Sequence, residues 1–193
     1  ASTLVDFGLT DGDALRQRYN GMVNIPLVSD QLALRVVGFY RDEDGWVDNL
    51  GTGIEGSNSL KAVGGRAHLL WEPTSKFDVG LLIIREDNEP ADSSLTNPDR
   101  GEFIRYTDRP DLFQSDMTSY NLTANWDMDF ATLTSSSNYS KIDGKFIVDL
   151  AGTFGGGIPF ALDAVGHDEN FVQEVRLASA DGGNWDWIVG GFY

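Results

Sequence analysis

The sequence contains no cysteine, only two histidines, and no apolar run that approaches the length of a membrane-spanning helix. The absence of cysteine excludes a disulfide scaffold and a thiolate metal site. The longest apolar run, at residues 79–84, has the length of a strand, whereas a membrane helix needs about 18 such residues. A chain of this kind that crosses a membrane must therefore satisfy its backbone hydrogen bonds in a closed β-barrel.

Positive charge is also scarce. The 14 lysines and arginines are outnumbered by 30 aspartates and glutamates, which gives a net charge of −16. Such a surface repels phosphates, so no nucleic-acid partner is expected. With 193 residues, 41% of them hydrophobic, the chain suits one domain, 1–193, and is too apolar for disorder. No signal peptide is visible at Ala1-Ser2-Thr3, so a mature, truncated or non-exported chain is expected.

Short and long connections alternate along the chain. Tight connections are predicted at 28–30, 72–75, 127–129 and 181–184, and long segments rich in Asp, Gly and Pro at 49–59, 87–117 and 143–170. Outer-membrane barrels have this asymmetry, with short periplasmic turns and long external loops. We therefore predict an all-β, antiparallel transmembrane barrel whose tight turns lie at one end and whose long segments lie at the other.

Most of the predicted strands are apolar at every second residue, which gives each strand one apolar and one polar face. The strands are expected at 3–8, 14–28, 32–48, 60–71, 76–86, 118–127, 130–142, 171–180 and 185–193. The pattern places Leu34, Val36, Leu122, Leu133 and Val175 toward lipid, and Arg35, Asn121, Thr134 and Arg176 toward the barrel lumen. The strands at 60–71 and 76–86 fit less cleanly, because Leu70, Leu82 and Ile84 fall on the polar side.

Aromatic residues cluster near the tight turns. They are Trp71, Phe77, Trp126, Phe130, Trp185 and Trp187. Aromatic side chains at strand ends form the interfacial girdle of a membrane barrel. The alternative interpretation is that they cap one end of a soluble core.

The predicted strand number is odd. Bacterial single-chain outer-membrane barrels have an even number of antiparallel strands. With nine strands the first and the last run the same way, so they cannot close an antiparallel barrel. We therefore expect an open arc of a larger barrel, with unpaired edges at 3–8 and 185–193.

Several runs resemble TonB-dependent outer-membrane receptors. They are NIPLV at 24–28 with LALRVVGFY at 32–40, GGRAHLLWEPT at 64–74, YNLTANWD at 120–127 with ATLTSS at 131–136, and FVQEVRLAS at 171–179 with WIVGGFY at 187–193. Each run alone is ordinary barrel sequence. Together they cover nearly the whole chain in the order found in the family.

The resemblance implies a 22-stranded barrel in the bacterial outer membrane, occluded by an N-terminal plug domain. It implies energy-coupled uptake of a bulky nutrient such as a siderophore, a cofactor or an oligosaccharide. The implied partners are outer-membrane lipid, the extracellular ligand, and the TonB system through the plug. On this interpretation residues 1–193 are a partial barrel domain, with the plug, the TonB box and about half of the barrel lying outside the sequence. The function then belongs to the parent protein.

No enzyme chemistry is evident in the sequence, and no catalytic residue, metal ligand or cofactor is expected. His68 and His167 are far apart in the chain, and no nucleophile elbow is present. A calcium loop starting at Asp42 would need a carboxylate at its twelfth position, which is Gly53. The glycines at 155–157 are not followed by the Lys-Ser/Thr of a phosphate loop.

The longest loop carries Arg100, Arg105 and Arg109, which are candidates for contacts with an anionic ligand. The alternative is that these arginines balance Asp99, Asp108 and Asp111. Two other functions remain open at this point. One is a passive porin-like or small structural barrel without a plug, and the other is a soluble β-sheet binding module.

Overall fold

The computed structural model describes residues 1–10, 13–151, 159–180 and 185–193. The strands are β1 (Ser2–Thr10), β2 (Ala14–Val28), β3 (Leu32–Glu43), β4 (Asp48–Asn49), β5 (Leu60–Thr74), β6 (Phe77–Pro90), β7 (Ile104–Arg105), β8 (Leu112–Asp127), β9 (Ala131–Asp149), β10 (Ala161–Ser179) and β11 (Ile188–Phe192). One short 3₁₀ helix, Pro98–Arg100, lies between β6 and β7. Within the described ranges, no helix is long and apolar enough to cross a membrane.

Nine of these strands form a single sheet in the order β1-β2-β3-β5-β6-β8-β9-β10-β11. Every neighbouring pair is antiparallel and is joined by the connection that follows in the chain. β4 and β7 form a separate two-stranded parallel pair. The predicted all-β meander of nine strands is therefore confirmed.

Several predicted strand limits were too short at the end that carries the long segments, most clearly in β8, β9 and β10. β8 begins at Leu112, β9 continues to Asp149 and β10 begins at Ala161, so much of 87–117 and 143–170 is strand rather than loop. In these extensions charged residues lie on the side that is apolar nearer the tight turns, namely Asp116 in β8 and Asp143, Lys145 and Asp149 in β9. The alternation that reveals a half-buried strand therefore does not continue in phase.

β3 was predicted too long, because it ends at Glu43 rather than at 48. Beyond it, a Cβ on Gly45 would lie 1.9 Å from the Gly56 carbonyl oxygen. Only glycine permits this close approach of two backbone segments. The chain therefore leaves the sheet at this point and enters the first long loop.

The short turns lie together at one end of the sheet, as predicted. Residues 29–31, 75–76 and 128–130 connect strand pairs there, whereas 44–59 and 91–111 connect pairs at the opposite end. β1 and β2 also meet at the long-loop end, where Thr10 pairs with Ala14. The predicted turn at 181–184 and the glycines at 155–157 fall outside the described residues.

Two of the tight turns contain an aspartate in the left-handed backbone conformation. Asp30 has a φ of 57° and Asp129 a φ of 68°, and aspartate tolerates this region better than most residues. The Asp127 carboxylate accepts a hydrogen bond of 2.8 Å from the Asp129 backbone N–H. Asp129 also pairs with Lys76 of the neighbouring turn, and this hydrogen bond raises the pKa of the Lys76 ammonium group.

The strand register separates two faces of the sheet. One row of directly paired residues crosses successive strands and is apolar, namely Ile25, Leu34, Leu69, Leu81 and Leu122. The residues next to these in each strand form a second row, which consists of Asn24, Arg35, His68, Leu82, Asn121 and Asn138. We name these sides the apolar face and the polar face. The predicted division of Leu34, Val36, Leu122, Leu133 and Val175 from Arg35, Asn121, Thr134 and Arg176 is confirmed.

Aromatic rings border the apolar face at both ends. Near the tight turns, the rings of Trp71 and Phe77 are 6.5 Å apart, and Phe77 lies opposite Trp126. Toward the long loops, Tyr120 stacks on Tyr139 at 6.4 Å. The second border was not predicted, although the sequence places these tyrosines on the apolar side of their strands. Two aromatic borders enclosing an apolar band are typical of a transmembrane barrel.

The sheet is open, as predicted. β1 and β11 are its two edge strands, and they do not pair with each other. A closed barrel of eight to ten strands, which the small-barrel alternative would require, is therefore not formed by these residues.

A first prediction tests which face meets lipid. Val175→Arg places a charge on the apolar face, at a cost of about 2–4 kcal/mol near the bilayer midplane. Glu174→Arg places the same charge on the polar face. We expect Val175→Arg in the full-length protein to reduce the folded, membrane-inserted fraction, measured by heat-modifiable mobility on gels, and Glu174→Arg to leave it near wild type. Equal effects would contradict the assignment of the faces.

A second prediction concerns the open edges. The outer sides of β1 and β11 leave backbone N–H and C=O groups unpaired within the sheet, and such groups are costly in hydrocarbon and promote aggregation in water. The isolated 193-residue chain should therefore aggregate in detergent when analysed by size-exclusion chromatography with light scattering. A stable, folded monomer would show that the edges need no further strands.

Candidate functional site

The two long loops fold against each other at one end of the sheet. β4, in the loop 44–59, runs parallel to β7, in the loop 91–111. The Asp48 N–H donates to the Phe103 carbonyl at 3.0 Å, and the Leu50 N–H donates to the Arg105 carbonyl at 2.9 Å. A Cβ on Gly51 would lie 2.0 Å from the Thr107 carbonyl oxygen, so the close approach of the two loops requires glycine there.

A buried polar cluster joins these loops, and we name it the loop core. It consists of Asn49, Asp92, Arg105 and Asp111, which are 1%, 4%, 5% and 4% exposed. The Arg105 guanidinium donates to the Asp111 carboxylate and, through Nη1, to the Leu95 carbonyl at 3.0 Å. Its Nε lies 3.6 Å from Asp92 Oδ1 without a hydrogen bond. A buried guanidinium of this kind needs its carboxylates, because an unpaired charge is costly away from water.

Asn49 connects the loop core to both loops. Its side-chain amide donates to Asp92 at 2.9 Å and to the Thr107 hydroxyl at 2.7 Å. Its side-chain oxygen accepts from the Thr107 N–H at 3.1 Å. The Asp149 N–H at the end of β9 donates to Asp111 at 2.6 Å, which ties the loop core to the sheet.

Apolar contacts complete the packing of the loops. Val47 is fully buried, and the ring of Trp46 meets that of Phe103 edge-on at 5.1 Å. Other apolar and aromatic side chains of the loops stay exposed, namely Leu50, Ile54, Leu95 and Tyr106. The loops therefore form an ordered cap whose outer surface is exposed.

The three candidate arginines occupy different positions in this cap. Arg105 is buried in the loop core and pairs with Asp111, so its surroundings support the alternative, structural interpretation. Arg100 is exposed and lies over the ring of Tyr106, with its guanidinium carbon 4.3 Å from the ring centroid. Arg109 is exposed and lies 3.7 Å from Asp163 of β10. Ligand contact by Arg100 and Arg109 stays a prediction.

The polar face of β8 and β9 carries a ladder of short hydrogen-bonding side chains. It consists of Ser119, Asn121, Thr123, Asn125, Thr134, Ser136 and Asn138, and we name it the polar ladder. Asn121 donates to Ser136 at 3.2 Å, and Thr134 donates to Asn125 at 2.9 Å. These groups are paired with one another and remain accessible, as suits a wall in contact with water.

The sequence and the structure of the chain were compared with those of known proteins. No sequence model of a protein family matches the chain. It is similar in structure to the ferric yersiniabactin uptake receptor FyuA from Yersinia pestis, with a TM-score of 0.71 and 18% identity over 92% of this chain. It is similar also to the siderophore receptor PirA from Acinetobacter baumannii, with a TM-score of 0.69 and 18% identity over 98% of this chain. The chain spans 28% of the length of each receptor.

Both neighbours are receptors whose folds are outer-membrane β-barrels. At 18% identity the likeness establishes the fold. The predicted fold class, a transmembrane antiparallel barrel represented here by nine strands, is therefore confirmed. The neighbours are transport receptors rather than enzymes.

A third prediction tests the loop core. Arg105→Gln removes the buried cation and leaves Asp92 and Asp111 without it, and breaking a buried ion pair in this way costs about 3–5 kcal/mol. We expect faster protease cleavage of the full-length protein within residues 91–111, while the strands stay protected. Arg100→Gln, an exposed change in the same loop, is the matched control. Equal cleavage rates for the two variants would contradict the structural role of Arg105.

Proposed function

We propose that this chain forms part of the barrel wall and the external loops of an outer-membrane receptor that takes up a bulky ligand. The single observation that carries the proposal is the match of the nine-stranded sheet to two siderophore receptors, with TM-scores of 0.71 and 0.69. The ligand class that this match favours is a metal chelate of the siderophore type. A cofactor or an oligosaccharide would suit the same architecture.

The two faces of the sheet fit this proposal. The apolar face, bordered by aromatic rings at both ends, would contact outer-membrane lipid. The polar face would line the interior of the barrel, and the polar ladder would keep water there. The loop core would hold the loops 44–59 and 91–111 above the opening on the external side, where a ligand arrives.

The cap offers specific candidates for ligand contact. The stacked pair of Arg100 and Tyr106 combines a cation with an exposed aromatic ring. Arg109 adds a second exposed cation near the edge of β10. Cations beside an aromatic ring suit an anionic or aromatic chelate. Energy for uptake would come from the TonB system, through a plug domain of the parent protein.

A fourth prediction tests this function. Deleting the gene of the full-length protein should abolish uptake of at least one radiolabelled ferric siderophore from a defined panel, measured in iron-starved cells. Uptake should also be lost in a strain that lacks TonB, because a plugged barrel needs energy to open. Uptake that persists without TonB would favour a passive porin-like barrel instead, and a panel without any phenotype would count against siderophore uptake.

Substitution of the exposed loop arginines extends the same experiment to ligand binding. Arg100→Gln with Arg109→Gln should weaken binding of the ferric siderophore identified by the panel by about tenfold, as expected when a charge-assisted hydrogen bond is lost. Arg85→Gln, on the apolar face, removes a cation outside the cap and serves as the matched control. Equal binding by both variants would exclude the two loop arginines as ligand contacts.

A further inference from the structure

Beyond the tyrosines that border the apolar face toward the long loops, the same side of the sheet carries charge. Asp87 of β6, Asp116 of β8 and Asp143 of β9 lie directly opposite one another there, and we name them the acidic row. The row lies four residues beyond Tyr120 and Tyr139 along their strands, outside the apolar band. Like charges directly opposite each other destabilise a strand pair. The outer parts of these strands therefore need cations that neutralise the row.

β9 and β10 continue beyond the tyrosine border as the paired segments 141–149 and 161–169, which we name the stem. His167 joins the two strands of the stem. Its Nδ1 lies 2.5 Å from Asp143 Oδ1, and its Nε2 lies 3.2 Å from Glu169 Oε1. A neutral imidazole has a single N–H, whereas an ionised carboxylate can only accept. Both hydrogen bonds therefore form together only when the ring is protonated and donates from both nitrogens.

Several charged groups surround His167. Those on its side of the stem are Lys141, Asp143, Lys145, Asp163 and Glu169. Next to the stem, Asp116 pairs with Arg85 of β6. Within the described ranges β9 is the strand that pairs with this part of β10, because β11 pairs with residues 174–178. The hydrogen bond to Asp143 raises the pKa of the His167 imidazole, which favours the protonated ring that the geometry requires.

The far end of the stem carries contacts to the cap. The Asp149 carboxylate of β9 accepts a hydrogen bond of 2.6 Å from the Asp108 N–H. Asp163 of β10 lies 3.7 Å from Arg109 of the same loop. The second long loop of the cap therefore rests on both strands of the stem. If the pairing of these strands loosens at His167, the support of the cap loosens with it.

We propose that His167 is a pH-dependent link in the stem, which holds the support of the cap together when the ring is charged and loosens it when the ring is neutral. The inference goes beyond the proposed function, because it concerns the stability of the cap and not the identity of its ligand. It stands on the position of one imidazole between two carboxylates, beside a row of aspartates that repel one another.

The direction of the pH dependence follows from the raised pKa of His167. The ordinary pKa of histidine is about 6.5, so this ring changes its charge near neutral pH. Because folding raises the pKa, the stabilisation is fully present below about pH 6.5. It is lost as the pH rises through the higher value of the folded protein. The stem should therefore be firmer in mild acid than in mild base.

Hydrogen exchange measured by mass spectrometry in the full-length, membrane-inserted protein tests this link. Exchange is compared at pH 5.5 and 8.5, after correction for the intrinsic pH dependence of amide exchange. In the wild type, peptides from the stem and from residues 104–111 should exchange about two- to fivefold faster at pH 8.5, the size expected of an exposed ion pair. His167→Gln should remove this difference and exchange at the faster rate at both pH values. His68→Gln, on the polar face, is the matched control and should keep the wild-type difference.

The other outcomes would overturn the proposal in distinct ways. A wild-type protein without the pH difference would show that the link does not stabilise the stem. A difference that persists in His167→Gln, or that is lost in His68→Gln, would assign the pH dependence to another group. A difference confined to the stem, with residues 104–111 unaffected, would show that the cap does not depend on His167.

Discussion

The antiparallel hydrogen-bond ladder is the interaction on which the rest of this structure depends. In hydrocarbon every backbone N–H and C=O must find a partner, and strands can supply one only through their neighbours. The ladder runs without a crossover from β1 to β11. Because paired residues point to the same side, the register also decides which side chains share a face. A shift by one residue would place Arg35 and Asn121 among the leucines of the apolar face.

The ladder cannot organise the long loops, and a second interaction performs that task. A buried guanidinium between two carboxylates is a weak source of stability by itself, because burial of its charges offsets most of their attraction. Its geometry is nevertheless specific, since Arg105 donates to Asp111 and to the Leu95 carbonyl while Asn49 donates to Asp92. The loop core therefore contributes a defined shape to the cap.

Local pattern was enough to predict most of the sheet. The alternation of residues 120–126 and the aspartates of the tight turns are signals that can be seen within a few residues of sequence. The strand order, the two faces and the one-sided loops could therefore be predicted from the sequence. The strand extensions toward Asp149 and Leu112 could not be predicted in this way, because their charged residues lie on the side that is apolar elsewhere in the same strands, which interrupts the period-two signal. The loop core could not be predicted from the sequence either. Asn49 reaches Asp92 and Thr107 across 43 and 58 residues, and no local pattern marks such partners.

The strands that fit the alternation least well show where the polar face changes its character. Leu70, Leu82 and Ile84 break the pattern on the polar side, and the register places them around Arg35 and Arg66 rather than scattering them. The polar face is therefore aliphatic on β5 and β6 and hydrogen-bonding on β8 and β9, where the polar ladder lies. Alternation within one strand cannot show this difference, because it appears only when the register places neighbouring strands side by side.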